Sequence, residues 1–212
     1  MIHLVIEDGL ATVTIDRPGK ANALTAGMLD DLAAAFDRVG ASGCRAAVLT
    51  GTGGVFSAGA DLEQARAGLA LSPQWERLSG CIAALPCLTI AALNGTLAGG
   101  AFGMALACDL RIAVPEARFF YPVMRLGFLP QPSDALRLSR LVGPARAKMI
   151  LMAGQRIDAP EALAWGLIDR IIPAADLAGA ARALAGDALS ANPAHVAAMK
   201  AMVVRSEGDA AS

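Results

Sequence analysis

The sequence lacks any excess of charge: 18 lysines and arginines face 19 aspartates and glutamates in 212 residues, a formal net charge of -1. No global field favours nucleic acid or an anionic membrane surface, so an anionic ligand has to be held by local groups. A C-x-x-C pair is missing, as are histidines near the four cysteines, Cys44, Cys81, Cys87 and Cys108. Without these, zinc-ligand spacing is excluded and no metal site is expected. The cysteines read as buried free thiols in a reducing cytosol, which makes the expected location cytoplasmic. The opening MIHLVIEDGLATVTID has early acidic residues where a secretory signal has a basic start and an unbroken apolar run, and it reads as a strand. No linker, repeat or low-complexity tract interrupts the chain before the polar tail SEGDAAS, and its length suits a single core.

Charge is wholly absent from residues 81 to 108, CIAALPCLTIAALNGTLAGGAFGMALAC, which also contain Gly99-x-x-x-Gly103. An uncharged run longer than about 18 residues is a candidate membrane span, and small-xxx-small spacing packs membrane helices. Pro86, Thr89, Asn94 and Gly95 cut this run into shorter pieces, and Asn-Gly is a turn signal. The reading is therefore a buried strand at 88 to 93, a turn and a buried helix at 98 to 108, with no membrane partner.

What is present is alternation of strands and helices. Residues 3 to 7 and 10 to 15 alternate around Asp8-Gly9, a two-residue hairpin turn. From Thr25, a capping residue, Met28, Leu29, Leu32, Phe36 and Val39 recur at helical spacing, and Gly40 suits a left-handed C-terminal position. Strands are expected at 45 to 50, 110 to 114 and 117 to 122, and helices at 74 to 85, 133 to 142, 144 to 153, 159 to 164, 175 to 189 and 193 to 204. Pro144 and Pro160 stand at first-turn positions. This order implies an α/β core with mainly parallel crossovers and a helical cover.

Two glycine-rich segments carry the chemistry: Phe56-Ser57-Ala58-Gly59-Ala60-Asp61-Leu62 and Gly99-Gly100-Ala101. Each follows a buried strand and opens a helix, where first-turn N–H groups lack intrahelical partners. Small side chains let a ligand reach them. Two such donors on one oxygen make an oxyanion hole, each typically worth about 3 kcal/mol in the transition state. Tight turns and close packing account for either segment taken singly.

Together with RPGKANAL at 17 to 24, NGTLAGGAFGMALACDLRIA at 94 to 113, GFLP at 127 to 130 and RLSRLVGPARAKMILMAGQRIDAPEALAWGLIDRII at 137 to 172, these segments resemble the crotonase (enoyl-CoA hydratase/isomerase) superfamily over nearly the whole chain. A late NPAHVAAMK continues the match. The resemblance implies a spiral of ββα units, a homotrimer or hexamer, and an acyl-CoA thioester substrate, with coenzyme A as part of that substrate and no other cofactor. It implies that the N–H groups of Ala60 and Gly100 grip the thioester oxygen and stabilise an enolate. Ala23, Ala58, Asp61 and Leu62 match positions lining the pantetheine and adenine channel. Arg17 and Lys20 lie where basic residues usually approach the CoA phosphates, though a solvated surface role fits them equally. Where relatives often carry a lysine after ADL, this chain has Glu63.

The pattern breaks where hydration needs it. Adding water to a double bond requires a positioned base and acid, and hydratases of the family use two glutamates. Here the first position is Gly103 and the second, after Pro122, is Val123. After GFLP the chain reads Gln131-Pro132-Ser133-Asp134-Ala135 in place of a glycine-rich segment. Ser133 or Asp134 as a plain helix cap and Asp134 as a catalytic carboxylate both stay open. Tyr121 adjoins the vacant second position and offers a hydroxyl. His3, His195 and Cys108 read as surface or structural groups, and Asp109, Glu116 and Asp169 as boundary caps or salt-bridge partners. The chain divides into a core at 1 to 190 and a short C-terminal helical segment with polar tail at 191 to 212. Relatives continue further past NPAHVAAMK, so the acyl pocket is either more open or covered by a neighbouring subunit. Decarboxylation, isomerisation and thioester hydrolysis remain open as reactions. The alternative is a catalytically silent acyl-CoA binding or assembly protein on the same fold.

Overall fold

The computed structural model describes residues 1–209, with side chains through residue 203. The chain opens with β1 (Ile2–Glu7) and β2 (Leu10–Ile15), paired antiparallel through a turn in which both Asp8 (φ 52°) and Gly9 (φ 83°) are left-handed. Positive φ at both central positions matches the right-handed twist of the flanking strands. The first helix, α1 (Ala26–Ala41), starts where Thr25 accepts a hydrogen bond from Met28 N–H, and it buries Met28, Leu29, Leu32, Phe36 and Val39 as their spacing predicts. Its end differs from expectation. Gly40 stays helical, and the chain reverses at Gly43, whose φ is +72°.

From there the chain winds as ββα units, each giving its first strand to one sheet and its second to another. β3 (Ala46–Gly51) and β4 (Val55–Ser57) are followed by α2 (Leu62–Arg66) and α3 (Gln74–Ala83). β5 (Leu88–Leu93) and β6 (Thr96–Ala98) lead through a short 3₁₀ turn at 99 to 101 into α4 (Phe102–Ala107). β7 (Leu110–Ala113) and β8 (Arg118–Phe120) lead into α5 (Val123–Leu126), α6 (Pro132–Val142) and α7 (Pro144–Leu151). The last pieces are β9 (Ile157–Asp158), α8 (Ala159–Trp165), β10 (Arg170–Ile171), α9 (Leu177–Leu184), α10 (Gly186–Ser190) and α11 (Pro193–Asp209). The six-stranded sheet runs β1-β2-β3-β5-β7-β10 and the four-stranded sheet β4-β6-β8-β9. Among the described residues only the β1–β2 and β8–β9 pairs are antiparallel.

The uncharged run thus becomes the end of α3, two strands of different sheets and a six-residue helix. Among the described residues no helix is long and apolar enough to cross a membrane. The helix expected at 98 to 108 begins later, because Thr96–Ala98 pairs with β4 and β8 as a strand first. The one expected at 175 to 189 is two helices, separated at Ala185, where Gly186 weakens helical continuity. Pro144 and Pro160 occupy first turns as expected. Asp109 and Asp169 hold boundary roles: Asp109 pairs with Lys200 at 2.8 Å, fixing α11 to the core, and Asp169 accepts from Arg111 N–H.

Candidate active site

Residues 17–24 and 56–62, distant in sequence, are sewn together by main-chain hydrogen bonds. Leu24 N–H donates to Gly59 O (2.8 Å), Asp61 N–H to Leu24 O (2.8 Å) and Ala58 N–H to Ala21 O (3.0 Å). Buried Asn22 supplies the joint. Its Nδ2 donates to Thr52 O and Val55 O, its Oδ1 accepts from Arg17 N–H, and its carbonyl accepts from Ser57 Oγ. This bonding turns the Leu24 face of the segment inward and leaves the N–H of Ala60 out of the backbone bonds around it.

Gly59 then brings this junction against the second one. It sits at φ +89°, and a β-carbon on it would lie 2.9 Å from Ala98 O and 3.3 Å from both Gly100 N and Gly99 Cα. Glycine is required there for conformation and for contact. The Gly100 N–H, at the head of the 3₁₀ turn, likewise takes no backbone partner. Gly100 itself lies under the indole of Trp75, since a β-carbon on it would stand 3.2 Å from that ring. Trp75 is buried, and its Nε1 is anchored on Leu69 O at 2.9 Å.

Of the proposed CoA-channel residues, Ala58 and Leu62 are exposed and Ala23 is half-buried on the same joined segments. Asp61 caps α2, accepting from Glu63 and Gln64 N–H, and pairs with Arg17 at 2.8 Å. The Arg17 hydrogen bond holds its carboxyl below the usual range. Arg17 also donates to Ala23 O, while Lys20 is exposed.

The helix-cap reading of Ser133 and Asp134 is overturned. Gln131 holds the N-cap position of α6 without a side-chain bond, and Glu76 of α3 caps from outside, its Oε2 accepting from Ser133 N–H (3.4 Å) and Oγ (2.9 Å). Asp134, in the first turn, is 1% exposed and points into the protein. Its Oδ2 accepts from Tyr121 Oη at 2.9 Å. Oδ1 has no hydrogen-bond partner, and it occupies the space in front of Gly103, where a β-carbon would stand 2.6 Å away. Burial pushes the Asp134 carboxyl up to about 7, with the Tyr121 hydroxyl lowering it, Glu76 raising it and Arg137 lowering it. The space in front of Gly103 is therefore filled by a carboxyl group from another helix. Glu76 and Trp75 carry no local signal in the sequence, because only the packing of α3 on α4 brings them here.

Other candidates fall away. Burial pushes the Cys108 thiol up to about 12 and Cys87 up to about 11, and all four cysteines are free. His3 bonds Asp16 at 3.0 Å at the surface. His195 lines a cleft of about 840 Å³ between α4, α6 and α11, floored by Leu106, Leu141 and Met199. That cleft does not border Ala60 or Gly100. Arg137 lines it and also donates to Ser133 Oγ.

Two sheets wound from ββα units, with two small-residue junctions in backbone contact between them, define the crotonase fold. Solved structures agree: enoyl-CoA hydratase from Bacillus anthracis superposes with a TM-score of 0.88 at 30% identity, over 96% of this chain and 82% of that one. The family model for enoyl-CoA hydratase/isomerase matches residues 5–211. Carnitinyl-CoA dehydratase of Proteus mirabilis is 37% identical over 207 residues, 94% of this chain and 78% of that protein. 4-Chlorobenzoyl coenzyme A dehalogenase-2 of an Arthrobacter species is 35% identical over 206 residues, 92% of this chain and 74% of that protein. The chain belongs to the enoyl-CoA hydratase/isomerase family.

Proposed function

We propose that the protein is an acyl-CoA enzyme that holds a thioester enolate on the N–H groups of Ala60 and Gly100 and moves protons with Asp134. The observation that carries this reading is the place of Asp134 Oδ1: buried, without a partner, and seated over Gly103, one helical turn beyond Gly100. A buried carboxyl near neutral pKa is suited to taking up and returning a proton. One such carboxyl does not reproduce the two-glutamate addition of water. It suits a double-bond shift, in which a single group removes a proton from one carbon and returns it to another, or decarboxylation, where loss of CO₂ generates the enolate directly.

The contact between the two junctions supports a shared oxyanion site, and the joined surface of Ala23, Ala58, Asp61 and Leu62 supports the CoA channel. Arg17 is engaged by Asp61, so the phosphate contact falls to exposed Lys20. Coenzyme A enters as part of the substrate, and the reading needs no other cofactor. The free thiols fit a cytoplasmic location. Assembly as a trimer or hexamer would cover Leu126 and Leu129, which are 55% and 80% exposed near the site; sedimentation measures it.

The test pairs two variants at one position. Gly100→Ala and Gly100→Pro both place a β-carbon against Trp75, but only proline removes the donor. Enoyl-, malonyl- and hydroxyacyl-CoA are assayed for product, and butyryl-CoA for α-carbon deuterium uptake in D₂O. Gly100→Pro should fall about 10²- to 10³-fold below Gly100→Ala. Equal rates would remove Gly100 as a donor, and CoA binding without product or exchange would leave a silent acyl-CoA binder.

A further inference from the structure

We propose that Tyr121 is the positioning residue of the site: its hydroxyl engages Oδ2 of Asp134 and so leaves Oδ1 as the single proton-accepting oxygen over Gly103. The inference rests on the reading of Asp134 as proton carrier and adds the device that orients it.

A carboxylate on a short side chain can present either oxygen by rotating about its terminal bond. At Asp134 that freedom is removed by one contact, Tyr121 Oη to Oδ2 at 2.9 Å. Tyr121 is itself held. It is 4% exposed just past the end of β8, and its ring stacks on Phe102 with centroids 5.4 Å apart and planes at 25°. Phe102 opens α4, two residues beyond Gly100. The contact chain Phe102, Tyr121, Asp134 therefore registers the carboxyl of α6 against the helix that directly follows the proposed oxyanion donor. A tyrosine hydroxyl buried this deeply needs partners: it donates to Asp134 Oδ2, and the Gln131 backbone also bonds it, which leaves its proton directed at the carboxyl.

The protonation chemistry follows from the same contact. Burial and the charge of Asp134 raise the pKa of the Tyr121 hydroxyl, so it stays a donor throughout the working range. A proton removed from substrate carbon by ionised Asp134 goes to Oδ1, the oxygen with no donor on it. The bonding pair left on carbon passes into the enolate, and the proton leaves Oδ1 for the second carbon. The other charged groups facing Asp134 are Glu76 from α3 and Arg137 from its own helix, and both are bonded to Ser133. Tyr121 is the neutral donor among these neighbours, and it stabilises the ionised form.

Tyr121 is the single tyrosine of the chain, so growth on 3-fluorotyrosine labels this residue alone in the full-length protein. Its ¹⁹F resonance should move with pH through one transition near neutrality, and Asp134→Asn should abolish that transition. Tyr121→Phe keeps the ring and removes the donor. The rising limb of the pH profile for deuterium uptake by butyryl-CoA should then shift about one to two pH units upward. Below the limb, exchange falls about tenfold or more, while the high-pH plateau is kept. A purely structural role would lower the plateau and leave the limb in place. A ¹⁹F signal that does not titrate, or a limb unmoved in Tyr121→Phe, overturns the positioning role. Wild-type exchange in Asp134→Asn instead overturns the proton-carrier reading on which it stands.

Discussion

Burying a carboxyl without full hydrogen bonding has a stability cost that depends on pH, and Asp134 supplies the case. Its folded-state pKa is about 7 against an ordinary 3.8, with burial as the largest cause. Below 3.8 the group is protonated whether or not the chain is folded, so it contributes no penalty. Between the two values the unfolded chain ionises while the folded one holds its proton, and stability falls as pH rises. Above about 7 the penalty is complete, and a displacement of roughly three units corresponds to about 4 kcal/mol. Asp134→Asn removes the titration. Asparagine can still accept from Tyr121, but its amide nitrogen takes the place of the unpartnered Oδ1, a pH-independent loss of about 1–3 kcal/mol. The variant should be the less stable protein near pH 4 and the more stable one near pH 8, with the difference swinging by about 4 kcal/mol. Urea denaturation of both proteins across that range measures it. A difference that stays flat with pH would show that Asp134 titrates normally, and the account of its burial would be wrong.

Gly103→Ala should destabilise by about 1–3 kcal/mol, although alanine normally favours a helix by about 1 kcal/mol, because its β-carbon would meet Asp134 Oδ1 at 2.6 Å. In an Asp134→Ala background the same change should become neutral or stabilising, and additive effects in the denaturation cycle would refute the claim that the carboxyl fills that space. Lys200→Met should cost about 1–3 kcal/mol, since Nζ bonds both Asp109 Oδ2 (2.8 Å) and Cys87 O (2.9 Å) while only 14% exposed. Hydrogen exchange should show α11 loosening first, with Asp109 still held by Thr89. Uniform loosening of the core would show that this pair does not anchor the helix.

The sequence by itself determined the order of elements and the identity of the two glycine junctions. Local rules were sufficient for these: alternation around Asp8-Gly9, the apolar stripe beginning at Met28, and a charge-free run cut by Pro86 and Asn94-Gly95. It also put Gly103 and Val123 where the family resemblance led us to expect glutamates, because a motif with an absent side chain is visible in one dimension. Boundaries were less legible where tertiary pairing overrode local pattern, as at Thr96–Ala98, a strand in the four-stranded sheet where a turn and the start of a helix at residue 98 were expected. What only the tertiary structure decided was the fate of the space left at Gly103. Asp134 lies 31 residues away on another helix, and the first-turn pattern around it suits a cap as well as a buried acid. The packing of α3 and α6 on α4 let Glu76 take over the capping and turned Asp134 inward onto Tyr121. Side-chain direction on a helix follows from what packs against it, and that information is held by the fold and not by any one segment.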